Sequence, residues 1–174
     1  MPKTSVRPAT PTDVDAILGW IKDLAAFEGQ PDAVKTTQDD LLRDGFGEPP
    51  KFEVLIAELD EKPAGFALFF PTYSTWEGRS GIHLEDLFVA EWARGQGLGR
   101  KLVVALAAIA VARGCSRLEL WVLHWNPARE FYHRLGMKHM EEWLPYRLAG
   151  EALQVLATEA EYCFARSASE GMDR

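Results

Sequence analysis

The spacing of apolar and polar positions changes several times along the chain, and each change marks an element. Ser5 to Arg7 reads as a short strand closed by Pro8. Val14, Ile17, Leu18, Ile21 and Leu24 recur at helical spacing, so a helix is expected from a Thr12–Asp15 capping box to about Gly29. Thr37 and Asp40 cap a second, shorter helix that stops at Gly45, and Phe46 to Pro50 is loop. Phe52–Leu59 and Ala64–Thr72 read as the two arms of a hairpin around Asp60–Pro63. Tyr73 to Ser80 is a polar loop, and Gly81–Val89 a fourth strand. A long helix is expected over Leu98–Arg113, a strand over Arg117–Leu123 and a helix over Pro127–Leu135. Lys138–Trp143 and Tyr146–Leu148 suit a last antiparallel pair, Gly150–Arg166 a terminal helix, and 167–174 a frayed tail.

Early strands joined by hairpins, followed by β-α-β, predict an α/β (α+β) fold: a mixed, mostly antiparallel central sheet with helices on both faces. No linker or repeat interrupts the pattern, so residues 1–166 are expected to form one domain. The 47% hydrophobic and 26% charged content is that of a soluble globular chain. A net charge of −7 argues against a nucleic-acid partner, which would call for a basic face. Two cysteines are too few for a disulfide framework. Acidic and basic residues break the first apolar run, and Leu102–Ala112 is too short to cross a bilayer, so a cytoplasmic protein without membrane contact is expected.

The chemistry concentrates in Leu84–Lys101. An apolar strand carries Glu85 and Asp86, and Arg94-Gly95-Gln96-Gly97-Leu98-Gly99 then opens the long helix. A glycine loop feeding a helix N-terminus presents N–H groups and the positive end of the helix dipole to an anion. Arg100 and Lys101 in the first helical turn, where cations are ordinarily unfavourable, fit a bound pyrophosphate. By strand alternation Asp86 points away from Glu85 unless a bulge intervenes.

At this loop the chain resembles the GCN5-related N-acetyltransferases, with Arg94, Gly97 and Gly99 meeting their acetyl-CoA motif. The resemblance spans about residues 5 to 160 and sharpens at LLRDGFG (41–47), TYSTWEGR (72–79), LEDLFV (84–89) and FYHRLG (131–136). These look like the diamine acetyltransferase branch, and the YSTWEGR stretch is more like the thialysine-acetylating members than the polyamine ones. The resemblance implies direct acetyl transfer from acetyl-CoA to a primary amine, with no metal and no acyl-enzyme, in a homodimer. It implies that the backbone near Leu87, Phe88 and Val89 pairs with the pantetheine arm. The loop from Arg94 through Gly95, Gln96, Gly97, Leu98, Gly99 and Arg100 would hold the pyrophosphate, and Asn126 and Tyr132 would also meet CoA. Glu85 is the implied base and Tyr132 the implied acid toward the leaving thiolate. Phe27, Glu28, Trp76, Glu85, Asp86, Glu142 and Trp143 would line the acceptor pocket. Ser74, where the polyamine enzymes have an aspartate, favours a short lysine-like amine. The loop at Asn126 is one residue short of the family spacing to Tyr132.

Other classes fit less well. A dinucleotide fold needs its third glycine one place later and an early position in a parallel sheet, although Glu119 stands at a suitable distance. A non-catalytic acyl-CoA-binding module would not need both Glu85 and Tyr132. An acetyltransferase for a protein or peptide amine remains an alternative within the same family. His83, His124, His133 and His139 show no metal-ligand spacing, and His83 shares the Glu85 face.

Overall fold

The computed structural model describes residues 2–160, which divide into two compact units meeting in sequence at Leu135 and Gly136. The first unit is a five-stranded sheet in the order β1 (Thr4–Pro8), β2 (Glu53–Leu59), β3 (Lys62–Ser74), β4 (Arg79–Val89), β5 (Leu118–Leu120). Every neighbouring pair is antiparallel except β4–β5. Helices α1 (Val14–Phe27) and α2 (Gln38–Phe46) cover one face, and α3 (Leu98–Ala112) covers the other. The mixed sheet expected from sequence is therefore present.

Alternation along the strands supplies both cores. Ala67, Phe69, Ile82 and Leu84 face α3, whose Leu98, Leu102, Leu106 and Ala110 repeat every fourth residue and are buried. Phe66, Leu68 and Phe88 face α1, where Val14 and Ile17 are buried. Each fully buried leucine contributes about 1.5–3 kcal/mol of apolar transfer free energy. Arg7 anchors the start of α1 to the sheet, with paired bonds of 2.8 Å to Asp13 and 2.7 Å to Glu58.

Several boundaries differ from the sequence reading. The first capping box is Thr10–Asp13, two residues before the expected Thr12–Asp15, and opens a 3-10 turn ahead of α1. Pro11 explains the shift, since its fixed φ suits the first helical position. The Thr37–Asp40 box is as expected, but α2 runs through Gly45 to Phe46. The β3–β4 hairpin is longer than expected and leaves only residues 75–78 as its tip. β5 is three residues instead of seven, because its ladder to β4 ends at the Leu84–Leu120 pair. Helix α4 (Ala128–Arg134) closes the first unit.

In the second unit, the expected pair of strands over Lys138–Leu148 is absent from the described residues. Met140 to Trp143 closes as a turn, with Trp143 N–H on Met140 O at 3.1 Å, and Pro145 removes a ladder donor. Helix α5 (Glu151–Thr158) follows. The rest of the expected terminal helix, Cys163 and the expected tail at 167–174 lie outside the described residues.

Between Ala67↔Leu87 and Gly65↔Val89 the β3–β4 ladder is tightly closed. A methyl group at Gly65 would stand 2.4 Å from Phe88 O and 3.0 Å from Val89 Cα. Gly65→Ala is expected to lower stability by about 1–3 kcal/mol in urea unfolding; an unchanged midpoint would contradict this close approach.

Candidate active site

A bulge in β4 organises the site. Leu68 pairs with Asp86 and Phe69 with Leu84, so Glu85 is an extra residue on β4. The bulge resets the alternation. Asp86 comes onto the face of Leu68, Phe70 and His83, the face that alternation alone denied it. His83 is buried there, stacked on Phe70 with ring centroids 5.1 Å apart. The Trp121 ring lies T-shaped to it with centroids 5.3 Å apart, and His83 Nε2 stands 3.5 Å from Glu85 Oε2. Glu85 is exposed, whereas Asp86 is half-buried.

Glu28 caps the C-terminus of α1 and faces the same space. Burial, then the charges of Glu85 and Glu28, push Asp86 up to about 6. Tyr132 on α4 lies edge-to-face with Phe131 at 5.2 Å. Burial and the charge of Glu28 push its phenol up to about 12. Phe27 meets Trp125 at 5.9 Å on the same side. Glu28 therefore acts electrostatically on both Asp86 and Tyr132, which sets three carboxylates and a protonated phenol near one another. This arrangement can seat an ammonium group, take a proton from it, and donate a hydrogen bond to a developing anion.

The second half of the site lies where β4 and β5 part. β5 pairs with Ile82–Leu84, and beyond Leu84 β4 has no strand neighbour on that side among the described residues. Ala90 N–H bonds back to Ala64 O at 2.8 Å. Alternation from that bond turns the backbone groups of Leu87 and Val89 toward the side without a partner, and those of Phe88 toward β3. Arg94 Nε donates to Val89 O at 3.0 Å and holds the strand end.

The glycine loop follows. Gly95 and Gly97 take φ of 79° and 77°, a region L side chains rarely adopt, and nothing lies within 4 Å of where their Cβ atoms would be. The N–H groups of Gly95 through Arg100 meet no protein acceptor among the described residues; Lys101 N–H is the first taken, by Gly97 O at 3.0 Å. An open cradle of free donors at a helix N-terminus fits a pyrophosphate. Lys101 does not belong to it. Its ammonium is bound by the carbonyl and hydroxyl oxygens of Thr4 on β1. Its place in the first helical turn is thus a strand contact and needs no anion.

Not every expected residue joins this arrangement. Trp76 is 90% exposed at the hairpin tip, about 20 Å along β4 from Glu85. Ser74 Oγ accepts Glu77 N–H at 3.3 Å and closes that tip. Asn126 Oδ1 accepts Ala128 N–H at 2.8 Å and so caps α4. Glu142 and Trp143 belong to the second unit. Glu119 is held by Arg117 at 3.1 Å and by Thr72 at 3.4 Å. Sequence reasoning missed Phe70, Trp121 and Trp125. Phe70 was visible only as an apolar strand residue, and Trp121 as an aromatic in a strand expected to run on past it.

The model of the Acetyltransferase (GNAT) family matches residues 17–137. The thialysine N-epsilon-acetyltransferase of Mus musculus is 39% identical over 90% of this chain and 99% of its own. The spermidine/spermine N(1)-acetyltransferase-like protein 1 of Homo sapiens is 37% identical over 88% of this chain and 24% of its own length. An integron cassette protein from the V. cholerae mobile metagenome superposes with a TM-score of 0.74 at 27% identity, covering 88% of this chain and 97% of the other.

The Asp86 environment has a measurable consequence. The unfolded chain releases this proton near 3.8 and the folded one near 6, so the folded state holds the extra proton in between. Its contribution to stability therefore falls as pH rises through that window and stays lost at neutral pH. Asp86→Asn is expected to raise stability at pH 7, by up to roughly 3 kcal/mol, with no gain near pH 3. Equal midpoints at pH 7 would contradict it.

Proposed function

The chain belongs to the acetyltransferase (GNAT) family, and from that premise we propose that it moves the acetyl group of acetyl-CoA directly onto a primary amine of a small cationic acceptor. The acceptor is a lysine-like amino acid of the thialysine type or a polyamine. One observation carries the reading. Glu28, Glu85 and Asp86 gather on a cleft beside a strand edge and a free N–H cradle, which is where an ammonium and a CoA thioester would be brought together. The 39% identity to a thialysine N-epsilon-acetyltransferase supports the lysine-like class.

Acetyl-CoA supplies the activated acyl group. In this reading the Gly95–Arg100 amides hold its pyrophosphate, with Leu98 and Gly99 opening the helix behind them. The Leu87 and Val89 backbone orients the pantetheine arm, and a strand N–H polarises the thioester carbonyl. Arg94 and Phe88 shape the cleft next to that edge. The acceptor ammonium seats between Glu85 and Asp86 and gives up one proton to this pair. The neutral amine then bonds to the thioester carbon as the C–S bond breaks, and the second nitrogen proton leaves with the CoA sulfur as the thiol. An alkylammonium near 10.4 needs a base, and Asp86 near 6 is a stronger one than an ordinary carboxylate. Tyr132 keeps its proton at any working pH and donates a hydrogen bond to the departing sulfur. Full transfer from a phenol near 12 to a thiolate whose acid is near 8.5 is uphill. Tyr132 therefore acts as a hydrogen-bond donor that stabilises the leaving group. In this reading Phe27 and Trp125 stand beside the ammonium end of the acceptor. The family resemblance also supports a cytoplasmic homodimer. Trp76 stands apart from this cleft at the hairpin tip, and Glu142 and Trp143 belong to the second unit.

Two measurements test this. CoA-thiol release from acetyl-CoA should occur with thialysine, lysine, ornithine or a polyamine; no release with any of them would overturn the acceptor class. Tyr132→Phe should lower kcat at least tenfold while changing the acetyl-CoA Kd by less than about threefold. Unchanged turnover would remove Tyr132 from the mechanism.

A further inference from the structure

Glu85 and Asp86 do not stand alone in their cleft. The hollow they border has a volume of about 630 Å³, within the usual range for small-ligand sites. Its floor is apolar, made by Ile21, Leu41, Leu68 and Phe70. Its other wall is built from the α1–α2 connection, α2 and the segment before β2, and that wall is cationic. Lys35, Arg43 and Lys51 line it, interleaved with Asp40 and Asp44. Arg43 is paired to Asp40 at 2.9 Å and to Asp44 at 2.7 Å, and Lys51 to Asp44 at 2.8 Å. Lys35 is exposed and bound to no carboxylate among the described residues.

The cleft is thus asymmetric. One end carries two carboxylates that suit an ammonium. The other carries three cations against two acids, an excess that suits a carboxylate and a mixed-sign surface that suits a zwitterion. A polyamine would bring only positive charge to that second end and meet repulsion there. A lysine-like amino acid brings an α-carboxylate and an α-ammonium to it, joined to a side-chain amine by an apolar stem that crosses the apolar floor.

Resting on the acetyl-transfer reading above, we propose that Lys35, with Arg43 and Lys51, forms an α-carboxylate subsite that selects ω-amino α-amino acids over diamines and polyamines. Lys35 is the free donor of the set. Arg43 and Lys51 are held in place by Asp40 and Asp44 and supply the surrounding field.

The test compares kcat/KM for thialysine with kcat/KM for bis(2-aminoethyl) sulfide, the same molecule without its carboxylate. The unsubstituted enzyme should favour thialysine at least tenfold. Lys35→Ala should cut that preference on the order of tenfold, with the loss in KM, as expected for a charge-assisted hydrogen bond. Lys51→Ala should cut it less. A preference for the decarboxylated diamine in the unsubstituted enzyme, or a ratio that neither substitution moves, would overturn the subsite. Because each ratio is internal to one protein, a folding defect does not imitate the result. If the unsubstituted enzyme acetylates neither compound nor any other small amine, the acceptor class itself fails and the subsite falls with it.

Discussion

One inserted residue in β4 sets the geometry of the site. With Glu85 bulged out, Leu84 remains the last residue paired to β5, and Asp86 turns onto the face of His83 and Phe70. The two results have the same cause. A bulge bends its strand and raises the local twist, so the strands on either side of the break diverge. The gap leaves the Leu87 and Val89 amides without a strand partner among the described residues, while the twist brings a second carboxylate against the first. An unbulged β4 would point Asp86 into the α3 core, where Leu84 and Leu87 pack. A carboxylate pushed up to about 6 follows first from burying Asp86 and then from the charges of Glu85 and Glu28. It is maintained only because two hydrophobic cores hold the sheet on both faces.

The cores also fix what surrounds the cleft. α3 buries a leucine stripe against the sheet, which keeps its N-terminus and the Gly95–Arg100 amides beside the β4 edge. α1 is pinned at its start by Asp13 on Arg7 and delivers Phe27 and Glu28 at its end. α2 brings its ion-paired surface to the far side of the same hollow. α1 and α3 thus each offer one end to the site and pack through their middles, whereas α2 lines the hollow along one side. This arrangement lets polar groups gather without leaving the sheet unsupported.

Periodicity made much of this readable in advance. The α1 and α3 stripes and the Thr37–Asp40 box depend on local rules and are present in the structure, as is the hairpin expected around Asp60–Pro63, whose turn tightens to Asp60–Glu61. The glycine loop was legible because few other reasons exist for alternating glycines before a helix. The family resemblance implied a bulge in this strand, but the residues alone did not place it, since Leu-Glu-Asp-Leu-Phe contains no glycine or proline and the extra residue appears only when β4 is set against β3. The face of Asp86 was therefore misjudged by alternation alone. The Lys138–Leu148 strands failed for a related reason, because an apolar alternation specifies a strand only where a partner completes it. The cationic wall was also hidden in sequence, since Lys35, Arg43 and Lys51 lie on three separate segments that only the fold collects.

The pH dependence of kcat/KM with thialysine, on the unsubstituted enzyme and on Asp86→Asn and Glu85→Gln, tests the placement of the base most directly. The unsubstituted enzyme should lose activity as pH falls through about 6, the value to which its surroundings push Asp86. Asp86→Asn should remove the limb near 6 and lower the rate above it. Glu85→Gln should move the limb down only slightly, by removing one neighbouring negative charge. A limb that stays near 6 in Asp86→Asn would contradict the bulge-built pair of carboxylates as the proton acceptor.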